Sequence, residues 1–441
     1  MFLRSSTILS SHFDNLDGYT QSRSCFWSLA GVVAGSVWLL MWRLWSFTIR
    51  PYLKPEDPKE LPYWIPILGH AVSFFRNSDK LIERGLNYTK RTHEPFAIKV
   101  GGTKFYIVTE PQDVAEVYRN VTSLNWDGHL SQILINLGFK MQALDLAWHK
   151  PIDGESCYVH KNPNMLDFND RAWMVFFGLP SIFSSEVTQA RRKMTSTMTT
   201  FADLSETERE GQAWGIRQVL QAQETVGIDK ESRACMLLLI YWAANSNEYN
   251  ISFWLIAHLL FNERLLQEVG PEIEAAWKDN ALDIKHLCAN APVLDGVFHE
   301  SLRLNGGAMM SRKVLARTNI GRKVLQPGTN VLIPSRQLHM NEQVWGADCA
   351  RFDAGRFVEN KTLLRHSSYR PFGGGVSYCP GRVMAKEQVY AFVGILFHRF
   401  GMKLSQKDGI EFPRLDESMP SLGITGPVKG MDIVLDLKVR S

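Results

Sequence analysis

The chain has 441 residues, 45% of them hydrophobic and 21% charged, enough for one large core or two modest ones. Its net charge of +4 is mild, and with no dense basic run interleaved with aromatics, nucleic-acid binding is excluded. Six cysteines, Cys25, Cys157, Cys235, Cys288, Cys349 and Cys379, stand without Cys-x-x-Cys pairs, which argues against a zinc site and a disulfide scaffold and fits a reducing compartment.

Phe26 to Trp42 carries no charge, and Arg43 follows it. The run suits one tilted membrane span with Arg43 snorkelling to the surface. A cleaved signal peptide would start earlier and end in small residues; a buried core helix is the other alternative. Arg43, Arg50, Lys54 and Lys59 put the bulk of the chain on the cytosolic side by the positive-inside bias. The chain therefore divides into a lumenal tail over 1–25, an anchor over 26–48, a neck over 49–66 stiffened by Pro55, Pro58, Pro62 and Pro66, and a body over 67–441.

Within the body, Phe96 to Glu110 reads as a hairpin turning at Gly101–Gly102, and Pro111 starts a short helix. Apolar residues recur at helical spacing from Asp203 to Trp277. Ser232 to Phe261 is apolar nearly all round, which predicts one long buried helix. Lys323 to Ser335 reads as a second hairpin turning at Pro327–Gly328, and the closing segment as loop and strand. The fold class expected is mainly α with small β-sheets.

The stretch Phe-Gly-Gly-Gly-Val-Ser-Tyr-Cys-Pro-Gly-Arg, 372–382, carries the chemistry. Pro380 suits the first turn of a helix whose apolar stripe includes Val389, Phe392, Val393, Leu396 and Phe397. Cys379 then stands at a helix N-terminus, where the dipole favours a thiolate, and the glycines permit close approach of something large and planar. An isolated cysteine is more often an inert buried thiol; a thiolate ringed by glycines suits instead a planar macrocycle whose iron is bonded to sulfur, and the spacing to weigh is Phe372-x-x-Gly375-x-x-x-Cys379-x-Gly381.

That spacing resembles the haem-binding signature of the cytochrome P450 monooxygenases. Glu300 and Arg303, three apart on one helix face, resemble the family's Glu-x-x-Arg pair, and Arg356 in Phe-Asp-Ala-Gly-Arg-Phe resembles the third member of a Glu–Arg–Arg clasp. Arg312 matches a position that often pairs with a haem propionate. The resemblance implies haem b held by Cys379, with Phe372, Gly375 and Gly381 shaping the sulfur side. It also implies electrons from NADPH–cytochrome P450 reductase, a lipophilic substrate, and a single-pass place in the endoplasmic reticulum membrane.

The chain departs from the family pattern in three places. Ser377 stands where an arginine or histidine usually balances a propionate. Ser246 and Asn247 stand where an acid and a threonine usually serve the oxygen side; asparagine still donates and accepts hydrogen bonds. This substitution resembles the group containing the sterol 7α- and 12α-hydroxylases and prostacyclin synthase; overall the chain resembles fungal biosynthetic members. Third, the segment conventionally called helices C to E looks absent, with a join near Asn162 to Met165. Its loss would uncover the faces of Leu237 to Trp242 and of the helix after Cys379. The reading is a membrane-anchored haem-thiolate monooxygenase acting on a sterol, terpenoid or other polycyclic lipid. The alternatives are a haem-thiolate isomerase of the prostacyclin-synthase type and a truncated haem protein without turnover.

Overall fold

The computed structural model describes residues 30–148, 172–179, 184–205, 207–405 and 410–440. The tail over 1–25, the first residues of the anchor and the join at Asn162 to Met165 lie outside the described residues.

Helix α1 (Ala30–Leu53) is long and apolar enough to cross a membrane, with a mean hydropathy of 1.4 and no burial against the rest of the chain. It runs past the expected end of the anchor. A wide turn over Trp45–Ile49 precedes Pro51 and absorbs the missing proline N–H. Arg43 has protein partners. Its guanidinium donates to the Tyr63 carbonyl oxygen and lies 3.8 Å from the Trp64 ring centre. The neck is likewise no free spacer: its strand β1 (Lys59–Glu60) pairs in parallel with β2 (Phe96–Val100), and Leu61 and Tyr63 are buried.

The hairpin at Gly101–Gly102 forms as expected from β2 and β3 (Thr103–Ile107), with both glycines at positive φ. Helix α2 (Pro111–Arg119) follows it, and β4 (Leu124–Asn125) leads into α3 (Asp127–Leu137). Later come the short hairpin of β5 (Trp277–Lys278) and β6 (Ala281–Leu282), and the large sheet's remaining strands, β7 (Met309–Val314) and β10 (Asn330–Pro334). The spatial order of the large sheet is β1-β2-β3-β10-β7-β4.

The second expected hairpin does not form. Strand β9 (Lys323–Leu325) turns back on β8 (Thr318–Ile320) through Gly321, at φ +55°, while β10 lies between β3 and β7. Pro327–Gly328 only links the two sheets. Alternation marks strands but not partners, and Gly321 supplies the tighter turn.

The expected long helix is two. Helix α4 (Ser185–Asp203) packs on α5 (Lys230–Asn245), and α6 (Glu248–Leu260) follows after a break at Ser246–Asn247. Ser and Asn compete for backbone hydrogen bonds inside helices, and here Asn247 is drawn to another segment. Helix α6 packs on α7 (Pro292–Asn305) and on α8 (Arg382–Arg399) through Ile251, Leu255, Val297, Phe298, Val389 and Val393. This three-helix contact fixes the loop before α8 against the break. Strands β11 (Phe400–Leu404) and β12 (Leu435–Val439) pair antiparallel in a separate two-stranded sheet.

Leu237 to Trp242 does not lose its cover. Leu237, Leu238, Ile240 and Trp242 are buried, packed among residues of α3 and α4 and the 139–144 and 219–228 segments. The helix after Cys379 does stand open: Val383, Met384, Phe392 and Ile395 on α8 are exposed, Phe392 by 49%. Such an apolar face promotes self-association. Phe392→Gln with Ile395→Gln is expected to raise the monomer fraction in size-exclusion chromatography while shifting stability by about 1 kcal/mol or less, as exposed positions do. A double variant that unfolds would mean the face is buried in solution.

The positive-inside expectation of a cytosolic body predicts that the Asn-x-Ser/Thr sequons at Asn87, Asn120, Asn250 and Asn360 stay unmodified, out of reach of the glycosylation machinery. For Asn250 burial gives the same result: it is 5% exposed and donates to the Ile424 carbonyl oxygen at 2.9 Å. A mobility shift of the expressed protein on glycosidase treatment would overturn the topology.

Candidate functional site

The loop 372–381 is folded on itself. The Cys379 N–H donates to the Phe372 carbonyl oxygen at 3.0 Å, and a single 3₁₀ turn spans Gly375–Ser377. Gly373 and Gly375 lie at φ +74° and +61°, and a Cβ on Gly375 would stand 2.5 Å from the Tyr118 carbonyl oxygen. Only glycine meets both demands. A Cβ on Gly381 would stand 3.8 Å from the Cys379 Sγ, in the space beside the sulfur. Phe372 is half-buried against the α6–α7–α8 core.

Cys379 stands at the N-terminus of helix α8, which begins at Arg382 with Gly381 as its cap, but burial outweighs the favourable helix end. Burial is the largest influence and raises the thiol's pKa; backbone N–H groups of Gly381 and Arg382 bonded to the sulfur work the other way. The thiol therefore stays protonated until a cation displaces the proton, after which those two N–H groups would stabilise the thiolate. Among the described residues no cluster of three His, Cys, Asp or Glu could hold a metal ion. A lone sulfur suits iron whose other ligands come from a macrocycle.

Glu300 and Arg303 form a fully buried bidentate pair with contacts of 2.6 and 2.8 Å. Arg356 Nε stands 3.5 Å from Glu300, and its other nitrogens donate to the Trp345 carbonyl oxygen and reach Asp348. The pair connects onward to the sulfur loop. Arg303 Nη1 donates to the His339 carbonyl oxygen, and the His339 ring Nε2 accepts from the Arg370 N–H, two residues before Phe372. Burial first, and the Arg303 charge second, push the His339 pKa down to about 3, so the ring is neutral and can accept. His339 sits in the Leu-His-Met-Asn stretch, where spacing alone gave no sign of this bridge.

Arg312 is 2% exposed; burial lowers its pKa, partly opposed by the charges of Tyr118 and Asp127. It donates to the Ser311 carbonyl oxygen at 2.8 Å and to Ser377 Oγ at 2.5 Å, and it lies over the rings of Tyr118 and Trp126. Ser377 thus accepts from Arg312 where a second cation would repel it. A buried guanidinium is stable only with an anionic partner, and the buried Tyr118 hydroxyl also has no hydrogen-bond partner. The haem propionates would supply both. The residues present therefore fit haem: a sulfur for the iron, glycine clearance beside it, and a buried cation with an open donor for carboxylates.

At the helix break, Ser246 is 2% exposed. Asn247 is tied down: its Nδ2 donates to Ser246 Oγ at 3.3 Å, and its Oδ1 accepts from the Ile424 N–H at 2.8 Å. The Trp254 indole N–H donates to the Thr425 carbonyl oxygen at 2.8 Å. The 423–425 segment is thereby stitched along α6, and Gly423 is required because a Cβ there would collide with the Asn247 side chain. A cavity of about 330 Å³ opens beside the break, lined by Trp173, Trp242, Asn247, Tyr249, Leu422 and Ile424 among others.

The mainly helical fold, the folded cysteine loop, the buried Glu–Arg pair behind it and the buried arginine beside it fit a haem-thiolate protein. The cytochrome P450 family model matches residues 157–425, and the chain belongs to the cytochrome P450 family, haem b enzymes whose iron is held by a cysteine thiolate. Cytochrome P450 monooxygenase poxD of Penicillium oxalicum is 25% identical over 453 residues, taking in 84% of this chain and 92% of that protein. A cytochrome P450 monooxygenase of Gibberella zeae is 23% identical over 82% of this chain and 84% of its own length. A cholesterol 7-alpha-monooxygenase of Cricetulus griseus is 23% identical over 48% of this chain and 46% of its own length.

Proposed function

We propose that this chain is a membrane-anchored haem-thiolate monooxygenase that oxidises a sterol, terpenoid or other polycyclic lipid, using O2 and electrons from NADPH–cytochrome P450 reductase at the endoplasmic reticulum membrane. The observation that carries the reading is the Cys379 loop held by two glycines at positive φ, its sulfur accepting backbone N–H groups. Helix α1 supports the anchor. The cavity beside Asn247 is large enough for a small molecule, since such sites run to roughly 300–1,000 Å³, and its lining mixes Trp173, Trp242 and Leu422 with Asp416, Lys429 and Asp432. Similarity to the cholesterol 7-alpha-monooxygenase of Cricetulus griseus, together with Asn247 at the threonine position, supports a sterol-like shape.

In this reading Cys379 ligates iron, and thiolate ligation favours O–O cleavage when haem is bound. Arg312 pairs with a propionate. Ser246 and Asn247 orient water on the oxygen side, and Asn247 also holds the 423–425 segment over the substrate. Glu300, Arg303 and Arg356 clasp the sulfur loop in place.

The test is a panel of sterols and terpenoids read by substrate-induced change in the ferric Soret band, then by product formation with NADPH and reductase. Product that requires NADPH supports the monooxygenase. Turnover of a peroxide without NADPH supports an isomerase instead.

We also infer that a segment corresponding to helices C to E is missing near Asn162 to Met165. The alignment with the Penicillium protein runs over 453 positions while taking in only 84% of a 441-residue chain, so that protein carries residues without counterparts here. The open face of α8 is the kind such a segment would cover. Sequencing the transcript across codons 155–170 tests this; an uninterrupted message identical to the present sequence would assign the loss to the protein itself.

A further inference from the structure

We propose that the Trp173 indole N–H is the specificity-determining donor of the cavity beside Asn247, and that the substrate is a polycyclic lipid carrying a ketone or hydroxyl oxygen that accepts from it. This inference rests on the haem-thiolate reading and narrows the substrate it would take.

Trp173 lies on the short helix Ala172–Phe176 and lines the same cavity as Asn247. It is 6% exposed, and its Nε1 is buried with no hydrogen-bond partner. Buried indole N–H groups ordinarily find one. Trp254 and Trp345 do, donating to the Thr425 and Leu338 carbonyl oxygens at 2.8 and 2.9 Å. The Trp173 ring is held in place by its neighbours. It stacks on Phe75 at 5.2 Å and 26°, and Phe75 meets Phe74 and Phe177 edge-on. The Phe177 N–H donates to the Trp173 carbonyl oxygen at 2.9 Å. A donor desolvated in advance and braced by an aromatic stack costs stability until an acceptor arrives, and it then binds that acceptor without further ordering.

Two acceptors of the wall itself are engaged elsewhere. Asn247 Oδ1 accepts from the Ile424 N–H, and Asp416 Oδ1 accepts from the N–H and hydroxyl of Ser418. An indole N–H only donates, so the ligand group opposite it must be an acceptor oxygen. Asp416 and Asp432 outnumber Lys429 on the lining, which disfavours a carboxylate and leaves an uncharged ketone or hydroxyl. The fused rings would pack on Trp242 and Leu422, which share the wall. A site built around such a donor rejects the analogue that lacks the oxygen, because the N–H is then left unpaired. That oxygen is present before the monooxygenase acts, so the reaction that supplies the substrate has already oxygenated its skeleton.

The experiment uses the full chain loaded with haem. The probes are 5α-androstan-3-one and 5α-androstan-17-one, set against the hydrocarbon 5α-androstane and read by the ligand-induced change in the ferric Soret band. One of the ketones is expected to bind the wild type about tenfold more tightly than the hydrocarbon, the effect of one buried hydrogen bond. Trp173→Phe keeps an aromatic ring against Phe75. It is expected to bind ketone and hydrocarbon alike, with the Soret band of its reduced carbon-monoxide complex unchanged. The indole N–H marker band in ultraviolet resonance Raman difference spectra is expected to shift in the wild type on adding that ketone and not on adding the hydrocarbon. This second measurement decides the matter even if the variant does not fold. Equal wild-type affinities, or discrimination that survives in Trp173→Phe, overturn this inference alone. A wild type with the thiolate-type band that binds neither ketone removes the sterol-like shape together with this inference. A wild type without that band overturns the haem-thiolate reading as well.

Discussion

Cys379→Ala is expected to abolish the thiolate-type Soret band of the reduced carbon-monoxide complex entirely. The sulfur is the iron's only protein ligand on its face in this reading, and the surrounding loop holds no second thiol, so a replacement such as Tyr378 would not give the thiolate-type band. Phe372, Gly375 and Gly381 contribute shape alone, and the nearest donors, the Gly381 and Arg382 N–H groups, cannot ligate a cation. Cys288→Ala is the matched control. Cys288 is a half-buried free thiol whose neighbour is Lys386, and burial raises its pKa too. The band is expected to survive that change in full. Retention of the band in Cys379→Ala would remove the basis of the site.

Glu300→Gln is expected to cost about 3–5 kcal/mol, the range for removing one member of a buried ion pair. Both Glu300 and Arg303 have fully buried side chains, so the guanidinium left behind has no water to turn to. Glu300 also accepts from the Asp353 N–H at 3.1 Å and faces Arg356, so one substitution loosens three attachments. A domain carries only about 5–15 kcal/mol of net stability. The variant should therefore melt well below the wild type and lose haem in parallel, because the same network reaches Arg370 and the sulfur loop through His339. Removing the exposed Arg264–Glu268 pair, side chains 88% and 43% accessible, is expected to cost no more than about 1 kcal/mol. Equal effects of the two changes would mean that the clasp is ordinary surface chemistry.

Much of the site is legible because its residues are close in sequence. The 372–382 stretch, the Glu300–Arg303 pair and the Ser246–Asn247 interruption each lie within a turn or two of backbone, where spacing fixes geometry. The hairpin at Gly101–Gly102 is readable for the same reason: two glycines can adopt positive φ cheaply. What spacing could not supply is the partner of each group. Arg312 and Ser377 stand far apart in the chain yet meet at 2.5 Å, which explains a serine where a cation was expected. His339 looks like any histidine until Arg303 and Arg370 close on it.

The sequence by itself determined the chemistry: one cysteine in a glycine-rich loop, an acid–base pair to brace it, an apolar run long enough to span a membrane, and a polar break in an otherwise apolar helix. Tertiary structure decided how those parts are held. It broke the long helix at Ser246–Asn247, where the Asn247 side-chain Oδ1 accepts from the Ile424 N–H while its backbone carbonyl oxygen still accepts from Ile251 in the next turn. It docked the proline neck onto β2, placed β10 between β3 and β7, and kept Leu237 to Trp242 covered while leaving Phe392 and Ile395 open. It also set the Cys379 thiol by burial more than by a helix dipole. The physical reason is common to all of these. Periodicity and local propensity are properties of neighbouring residues, whereas strand pairing, desolvation and burial depend on which distant surface arrives, and only the folded chain brings that surface into contact.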